Sequence, residues 1–373
     1  MSAAPRNNLA FTIVVAAAVG VGAIATLLVL ALSGAPGTTI TAAALAAVPV
    51  GPVLVAYLWL DRYEPEPRSL LLAGLAWGAF VATTVAIVVQ GLGGWLVGWT
   101  DSASLAVVAP VVEEFSKGAF LVLLLWWRRA EIDGVLDGIV YAGMVGVGFA
   151  FTENILYLAA AYNGTDGMGP GGITAITVTF VLRCVFSPFA HPLFTAFTGI
   201  GIGIAVGSRS RSVRLLAPLG GYVLAVIAHG LWNGSTLLAP GAFYVVYLLV
   251  MAPAFVGVAL LGWWARSREA RLLHAALTDA AQRGLLPGSD IGWVVDLRAR
   301  RAARRFARIA GGPEGEKAMR AYQQAVIELG FLHHRLLRGT APADWQVRGQ
   351  HFVTRIQSVR PRIAFPGQVV PQR

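Results

Sequence analysis

Glu113, Glu114 and Lys117 sit within about one helical turn of each other in an apolar run, and Glu153, Arg183, His191, His229 and Asn233 interrupt three further apolar runs. Two carboxylates beside a lysine, with two imidazoles and an amide, are the parts of a hydrolytic site. A glutamate next to water takes a proton as general base, and a histidine positions that water or donates to a leaving amine. An amide such as that of Asn233 supports a carbonyl oxygen as it becomes anionic. The same residues also suit a metal, because His191 and His229 with Glu113 or Glu153 make a His₂Glu donor set of the zinc type. The chain has no HExxH helix signature, so zinc-bound and metal-free chemistry both stay open. Its one cysteine, Cys184, excludes an internal disulfide or a multi-cysteine metal site.

Spacing brings these groups onto shared faces. Glu113–Lys117 and His229–Asn233 are four residues apart, and Glu114–Lys117 three, so each set lies on one side of a helix. The helices that carry them are read from composition. The 373 residues are 56% hydrophobic and only 13% charged, with a mean hydropathy of +0.66. A soluble domain carries about a quarter charged residues, so the chain is expected to be an all-α polytopic membrane protein. Apolar stretches of bilayer length recur eight times, at 10–32, 41–60, 69–95, 104–127, 135–160, 176–206, 214–238 and 241–265.

Orientation follows from the connections. Arg6, Arg62, Arg68, Arg128, Arg129, Arg209, Arg211, Arg214, Arg266 and Arg268 fall at alternate ends of these spans. The intervening connections, 33–40, 96–103, 161–175 and 239–240, hold no Lys or Arg. This alternation predicts cytoplasmic N- and C-termini. It also places Glu113 about nine residues, or ~13 Å, below the outer surface, with Glu153 and His229 at similar depth. Pro188 and Pro192 around His191 predict a break in span six that lines a cavity. Gly199, Gly203 and Gly207 predict close helix packing after it. Five charged side chains facing lipid would cost on the order of 15 kcal/mol at about 3 kcal/mol each. Glu113, Glu114, Lys117, Glu153 and Arg183 are therefore expected to face one another or a wet cavity.

Four of these segments, in this order, resemble the motifs of the PrsW family of intramembrane proteases, relatives of the CAAX-processing and bacteriocin-immunity proteases. Glu113-Glu114-Phe115-Ser116-Lys117 is similar to its EExxK motif, and Phe149-Ala150-Phe151-Thr152-Glu153-Asn154 to FxxxEN. His191-Pro192-Leu193-Phe194 and His229-Gly230-Leu231-Trp232-Asn233 are similar to its two histidine motifs, and residues 61–68 to a juxtamembrane segment. The resemblance covers about residues 45–265. It implies a multi-pass peptidase of the bacterial plasma membrane that cuts a membrane-anchored protein, such as an anti-sigma factor, on its extracytoplasmic side. Carried over residue by residue, it implies Glu113 as the base, Glu114 as its helper, and His191 and His229 as water-positioning or zinc-binding groups. Asn233 then serves the oxyanion and Lys117 neutralises the pair. Glu153 is a third ligand or an ion-pair partner of Arg183 or Lys117, and Asn154 bridges helices.

Residues 266–373 lie outside the resemblance and hold 19 Lys/Arg against 8 Asp/Glu, whereas residues 1–265 hold 10 against 11. A cytoplasmic helical tail is expected, with helices at 269–283, 292–310 and 316–338. Arg298, Arg300, Arg301, Arg304, Arg305 and Arg308 would form a face for anionic headgroups. Nucleic-acid binding is not expected, since no aromatic platform or known fold accompanies the charge. Two other readings use the same features. Buried Glu, His, Lys and Arg could form the ion or proton path of a transporter, although no inverted repeat is present. The spans could also be a non-catalytic scaffold for a partner of the tail.

Overall fold

The computed structural model describes residues 5–32, 35–165, 170–239 and 241–367, with the side chains of 5–8 and 130 excluded. The connections expected at 33–40, 161–175 and 239–240 are thus described only in part, and the Arg6 side chain lies outside the described residues. Every regular element among the described residues is helical. The membrane body comprises α1 (Pro5–Leu32), α2 (Pro36–Leu60), α3 (Arg68–Val97), α4 (101–127), α5 (Val135–Asn163), α6 (Ile173–Val206), α7 (Arg211–Ser235) and α8 (Ala242–Gln282). Seven of these are long and apolar enough, by length and composition, to cross a membrane. The exception is α4, which has the length but concentrates Glu113, Glu114 and Lys117 in its centre.

Chain contacts divide the protein into two units, residues 1–61 with 66–262 and residues 62–65 with 263–373. In the first unit α5 is the central helix, with 83% of its apolar window buried. Its glycines permit this. A Cβ on Gly138 would sit 2.0 Å from the Gly199 carbonyl oxygen on α6, and one on Gly199 would sit 2.0 Å from that of Gly138. Backbone contact this close is the packing mode of small residues in membrane helices. Gly203 continues the strip against Gly134, but Gly207 touches only its own helix.

Three helices that bear site residues carry π-turns, at Trp77–Ala82 in α3, Ser104–Val108 in α4 and Val181–Phe186 in α6. Each inserts about one extra residue and so rotates the following helix by about 100° relative to an uninterrupted α-helix. In α3 the Thr83 hydroxyl donates to the Gly78 carbonyl across the wider turn (3.1 Å). The expected break in α6 falls at Ser187 (φ −126°, ψ 37°), just before Pro188. Pro192 lies in the first turn of the segment that restarts at Ala190, where its missing N–H costs little.

The second unit differs from expectation in three ways. Helix α8 runs unbroken to Gln282 because no proline or glycine follows Gly262 within it. Beyond it, α9 (Leu297–Leu337) breaks at Gly311–Gly312, between the helices expected at 292–310 and 316–338, whereas α10 (Trp345–Val359) lies outside the three helices expected. These pack around Leu277, Tyr322, Val326 and Phe365. The six arginines do not share one outer face. Arg300 is buried and donates to the carbonyls of Val294 (2.7 Å) and Arg62 (3.0 Å), while Arg304 donates to Gln323 Oε1 (2.6 Å). At 100° per residue the six positions span an arc of about 160°, and Arg300 and Arg304 stand at the edge of it that turns inward.

Candidate active site

Lys117 is the hub. Its side chain is fully buried, and Nζ lies 2.8 Å from Glu114 Oε1, 3.4 Å from Glu113 Oε2 and 3.2 Å from His191 Nδ1. The ammonium also sits 3.6 Å from the centre of the Phe149 ring on α5. A buried charge persists only when paired and hydrogen-bonded, and here α4, α5 and α6 supply the partners together.

An ammonium has donors only, so His191 Nδ1 must accept, and its Nε2–H then donates to Glu153 Oε2 at 2.6 Å. Glu153 also pairs with Arg183, whose Nε donates to Asn154 Oδ1 (2.8 Å) and whose guanidinium lies over Tyr157. Glu153 and Asn154 of α5 therefore hold Arg183 of α6, and Glu153 orients the His191 ring. His229 shows the complementary pattern. Its Nδ1 is 3.0 Å from Glu114 Oε1 and must donate to that carboxylate, leaving Nε2 of the neutral ring with a bare lone pair. This buried atom has no hydrogen-bond partner among the described residues and lies 3.7 Å from Glu113 Oε2. Phe194 stacks on the ring at 4.7 Å, and the two histidine rings are 5.2 Å apart.

The two glutamates are in unequal surroundings. Glu114 accepts from Lys117, from His229 and from the Thr195 hydroxyl (3.1 Å). Glu113 has longer contacts, and its Oε1 meets only Gln90 Nε2, at 3.5 Å, among the described residues. Glu114 thus anchors α4 to α6 and α7, while Glu113 is held only by longer contacts.

Glu113, His191 and His229 each offer one ligand atom, all within 4.8 Å of one another. A carboxylate with two imidazoles, one of them carrying an unsatisfied buried nitrogen, fits a divalent ion of the zinc type. Glu153 is not in this group, being engaged by Arg183 and His191. Asn233 is not joined to the carboxylates by a hydrogen bond, and its Nδ2 donates to the Leu105 carbonyl of α4 (3.0 Å).

Sequence reasoning passed over Gln90 and Thr195 and gave Phe149 and Phe194 no part. Gln90 had a signal, as the only amide in the apolar stretch 84–97. Thr195 stands four residues after His191, one turn along the same face.

Residues 66–258 match the PrsW family of intramembrane metalloproteases. The chain is 28% identical over 228 residues to Protease PrsW of Geobacillus kaustophilus, covering 61% of this chain and 89% of the relative. Protease PrsW of Bacillus subtilis is 26% identical over 233 residues (61% and 93% covered). That of Clostridioides difficile is 31% identical over 188 residues (49% and 74% covered). No solved structure shows a significant match.

Proposed function

Because this chain belongs to the PrsW family and is therefore an intramembrane protease of the metalloprotease type, we propose that Glu113 is its general base and that its substrate is a membrane-anchored protein. The observation that carries this is the inequality of the two glutamates, one saturated by three short donors and the other loosely held beside the bare His229 nitrogen. Glu113 takes the proton of a water that attacks the scissile carbonyl. Glu114 and Lys117 keep the site near charge balance as that proton moves. His191, fixed by Glu153, and His229, fixed by Glu114, orient the water, and either can pass a proton to the leaving amine. Asn233 is the oxyanion donor, with one amide N–H anchored on Leu105 and the second available to the substrate.

A divalent ion of the kind the family description implies, zinc by its donor chemistry, would be held by Glu113, His191 and His229, where it would polarise water or the carbonyl. The outward depth of the site suits a cut on the extracytoplasmic side of a single-span protein in the bacterial plasma membrane, an anti-sigma factor being the class implied by the motifs. Both termini lie in the cytoplasm, where Arg298, Arg301, Arg305 and Arg308 of the tail meet anionic headgroups.

The test is cleavage of candidate single-span substrates, anti-sigma factors among them, by the purified full-length protein in nanodiscs. Glu113→Gln and His229→Ala are compared with the parent, with and without chelator and zinc readdition. Loss of cleavage in both variants supports the assignment, and unchanged turnover in both removes it. Chelator inhibition reversed by zinc selects the metal-bound form.

A further inference from the structure

Glu113 is held asymmetrically. Its Oε2 faces Lys117 Nζ at 3.4 Å and His229 Nε2 at 3.7 Å, whereas its Oε1 has Gln90 Nε2 at 3.5 Å as its one hydrogen-bond partner among the described residues. Gln90 comes from α3, a helix outside the four that carry the histidines and glutamates. An amide placed in an apolar span is costly unless it finds a partner, and the partner it finds is Glu113. The approach depends on the π-turn at Trp77–Ala82. Without that turn the helix beyond it would be rotated by about 100°, turning Gln90 away from α4. The turn is locked by the Thr83 hydroxyl on Gly78 and by Trp77 Nε1 donating to the Ser116 carbonyl of α4 (2.9 Å).

A base accepts a proton most readily through the oxygen that faces no cation, and in Glu113, whose Oε2 faces the Lys117 ammonium, that oxygen is Oε1. A water hydrogen-bonded to Oε1 necessarily lies beside the Gln90 amide, whose carbonyl oxygen makes no hydrogen bond to a described residue. We propose that Gln90 is the second anchor of the attacking water, its N–H holding Glu113 Oε1 and its carbonyl oxygen accepting the water's other O–H. This rests on Glu113 being the base. With both hydrogens engaged, the water's free lone pair points away from Glu113 and Gln90, towards a scissile carbonyl. One O–H bond breaks and its proton passes to Glu113 Oε1. The electron pair forms the new C–O bond, and the carbonyl π pair moves onto the carbonyl oxygen. Collapse then breaks the C–N bond, and the same proton goes to the departing nitrogen. Gln90 itself stays neutral throughout.

The test uses the full-length protein in nanodiscs, with fluorescein-labelled casein as a generic probe of hydrolysis. Gln90→Leu, Gln90→Glu and Glu113→Gln are compared with the parent, and thermal unfolding checks folding. Gln90→Leu is expected to lower kcat about 10–100-fold with KM changed less than about 2-fold, the pattern of an interaction used beyond the bound state. Gln90→Glu, which when protonated retains a donor and an acceptor at the same reach, recovers most of the loss. A purely structural glutamine would shift unfolding and leave this split absent. The second readout needs no substrate. Infrared difference spectra of films in H₂¹⁶O and H₂¹⁸O report tightly held water, and the parent is expected to show a band that Gln90→Leu and Glu113→Gln both remove. A band that survives Gln90→Leu, or an unchanged kcat in that variant, overturns the proposal. Turnover retained in Glu113→Gln instead removes the base assignment, a failure visible separately from the water band.

Discussion

His229 Nδ1 and Glu114 Oε1 are 3.0 Å apart in a fully buried setting, and this one contact decides what the rest of the site can do. By accepting the Nδ1–H, Glu114 fixes the tautomer in which Nε2 is the bare nitrogen that faces Glu113. Glu114 holds the His229 ring as carboxylates hold the histidines of metal sites, and in the reading proposed above it is a support and not a second base.

The two glutamates should fail differently. Glu113→Gln is expected to reduce turnover about 10²–10⁴-fold, the usual contribution of a general base, with little change in thermal unfolding. Glu114→Ala removes the shortest ion-pair contact of the buried Lys117 ammonium and leaves His229 Nδ1 without its acceptor, so it should cost about 3–5 kcal/mol of stability as well as activity. Cleavage assays paired with unfolding curves in detergent check both. Equal destabilisation by the two variants would contradict the division of roles.

Lys117 should compete with a metal. Its Nζ already bridges Glu113 and His191, two of the three candidate ligands. Replacing it by Met removes a cation and leaves two buried carboxylates undercompensated, so a dication is drawn in. Lys117→Met should bind zinc at least about tenfold more tightly than the parent, equivalent to about 1.4 kcal/mol. Equilibrium dialysis with metal analysis measures this, and equal affinity in the two proteins would show that the ammonium and the ion occupy separate places.

Glu153 and Arg183 should act on catalysis through His191. Either substitution to Ala is expected to lower kcat about 10–100-fold, as loss of a group orienting a ligating or catalytic histidine does. The double variant should be no worse than the poorer single one, because the two side chains form one unit with His191. Strict additivity in a double-mutant cycle would argue against that unit.

Stability of the membrane body should fall as pH rises through neutrality. Between α2 and α3, burial pushes the Asp61 carboxyl up to about 7, although it accepts the Glu66 backbone N–H. Burial and nearby carboxylates, Asp137 foremost, also raise Glu66, whose Oε2 takes the Tyr141 hydroxyl at 2.6 Å. The folded state binds these protons more tightly than the unfolded one. The Asp61 contribution is thus complete below about pH 4, declines across the interval and is lost above about 7, with a ceiling near 4 kcal/mol for three units. Thermal unfolding at pH 5 and pH 8 should show the difference, and Asp61→Asn should shrink it. A flat profile in the parent would contradict the burial of this carboxyl.

Much of this was legible in the order of residues. Hydropathy marked the helices, and ionisable groups in apolar runs marked α4 to α7 as the ones that meet. The α4 charges that flagged the site also made its helix the least membrane-like of the eight. Less legible were details set by helix rotation. A π-turn cannot be read from the run Trp77–Ala82, yet it determines where Gln90 points. Nor does a row of arginines disclose that Arg300 turns inward onto backbone carbonyls.

The sequence by itself determined that the chain lives in a bilayer and that its polar side chains must converge, because lipid leaves a charge no other partner than another polar group. Which carboxylate is saturated and which is loosely held was decided only in the tertiary structure. That choice depends on contacts across helices: Thr195 and His229 reach Glu114 from α6 and α7, and Gln90 reaches Glu113 from α3. Such contacts follow from crossing angle and helix phase, which neighbouring residues along one strand of sequence do not encode.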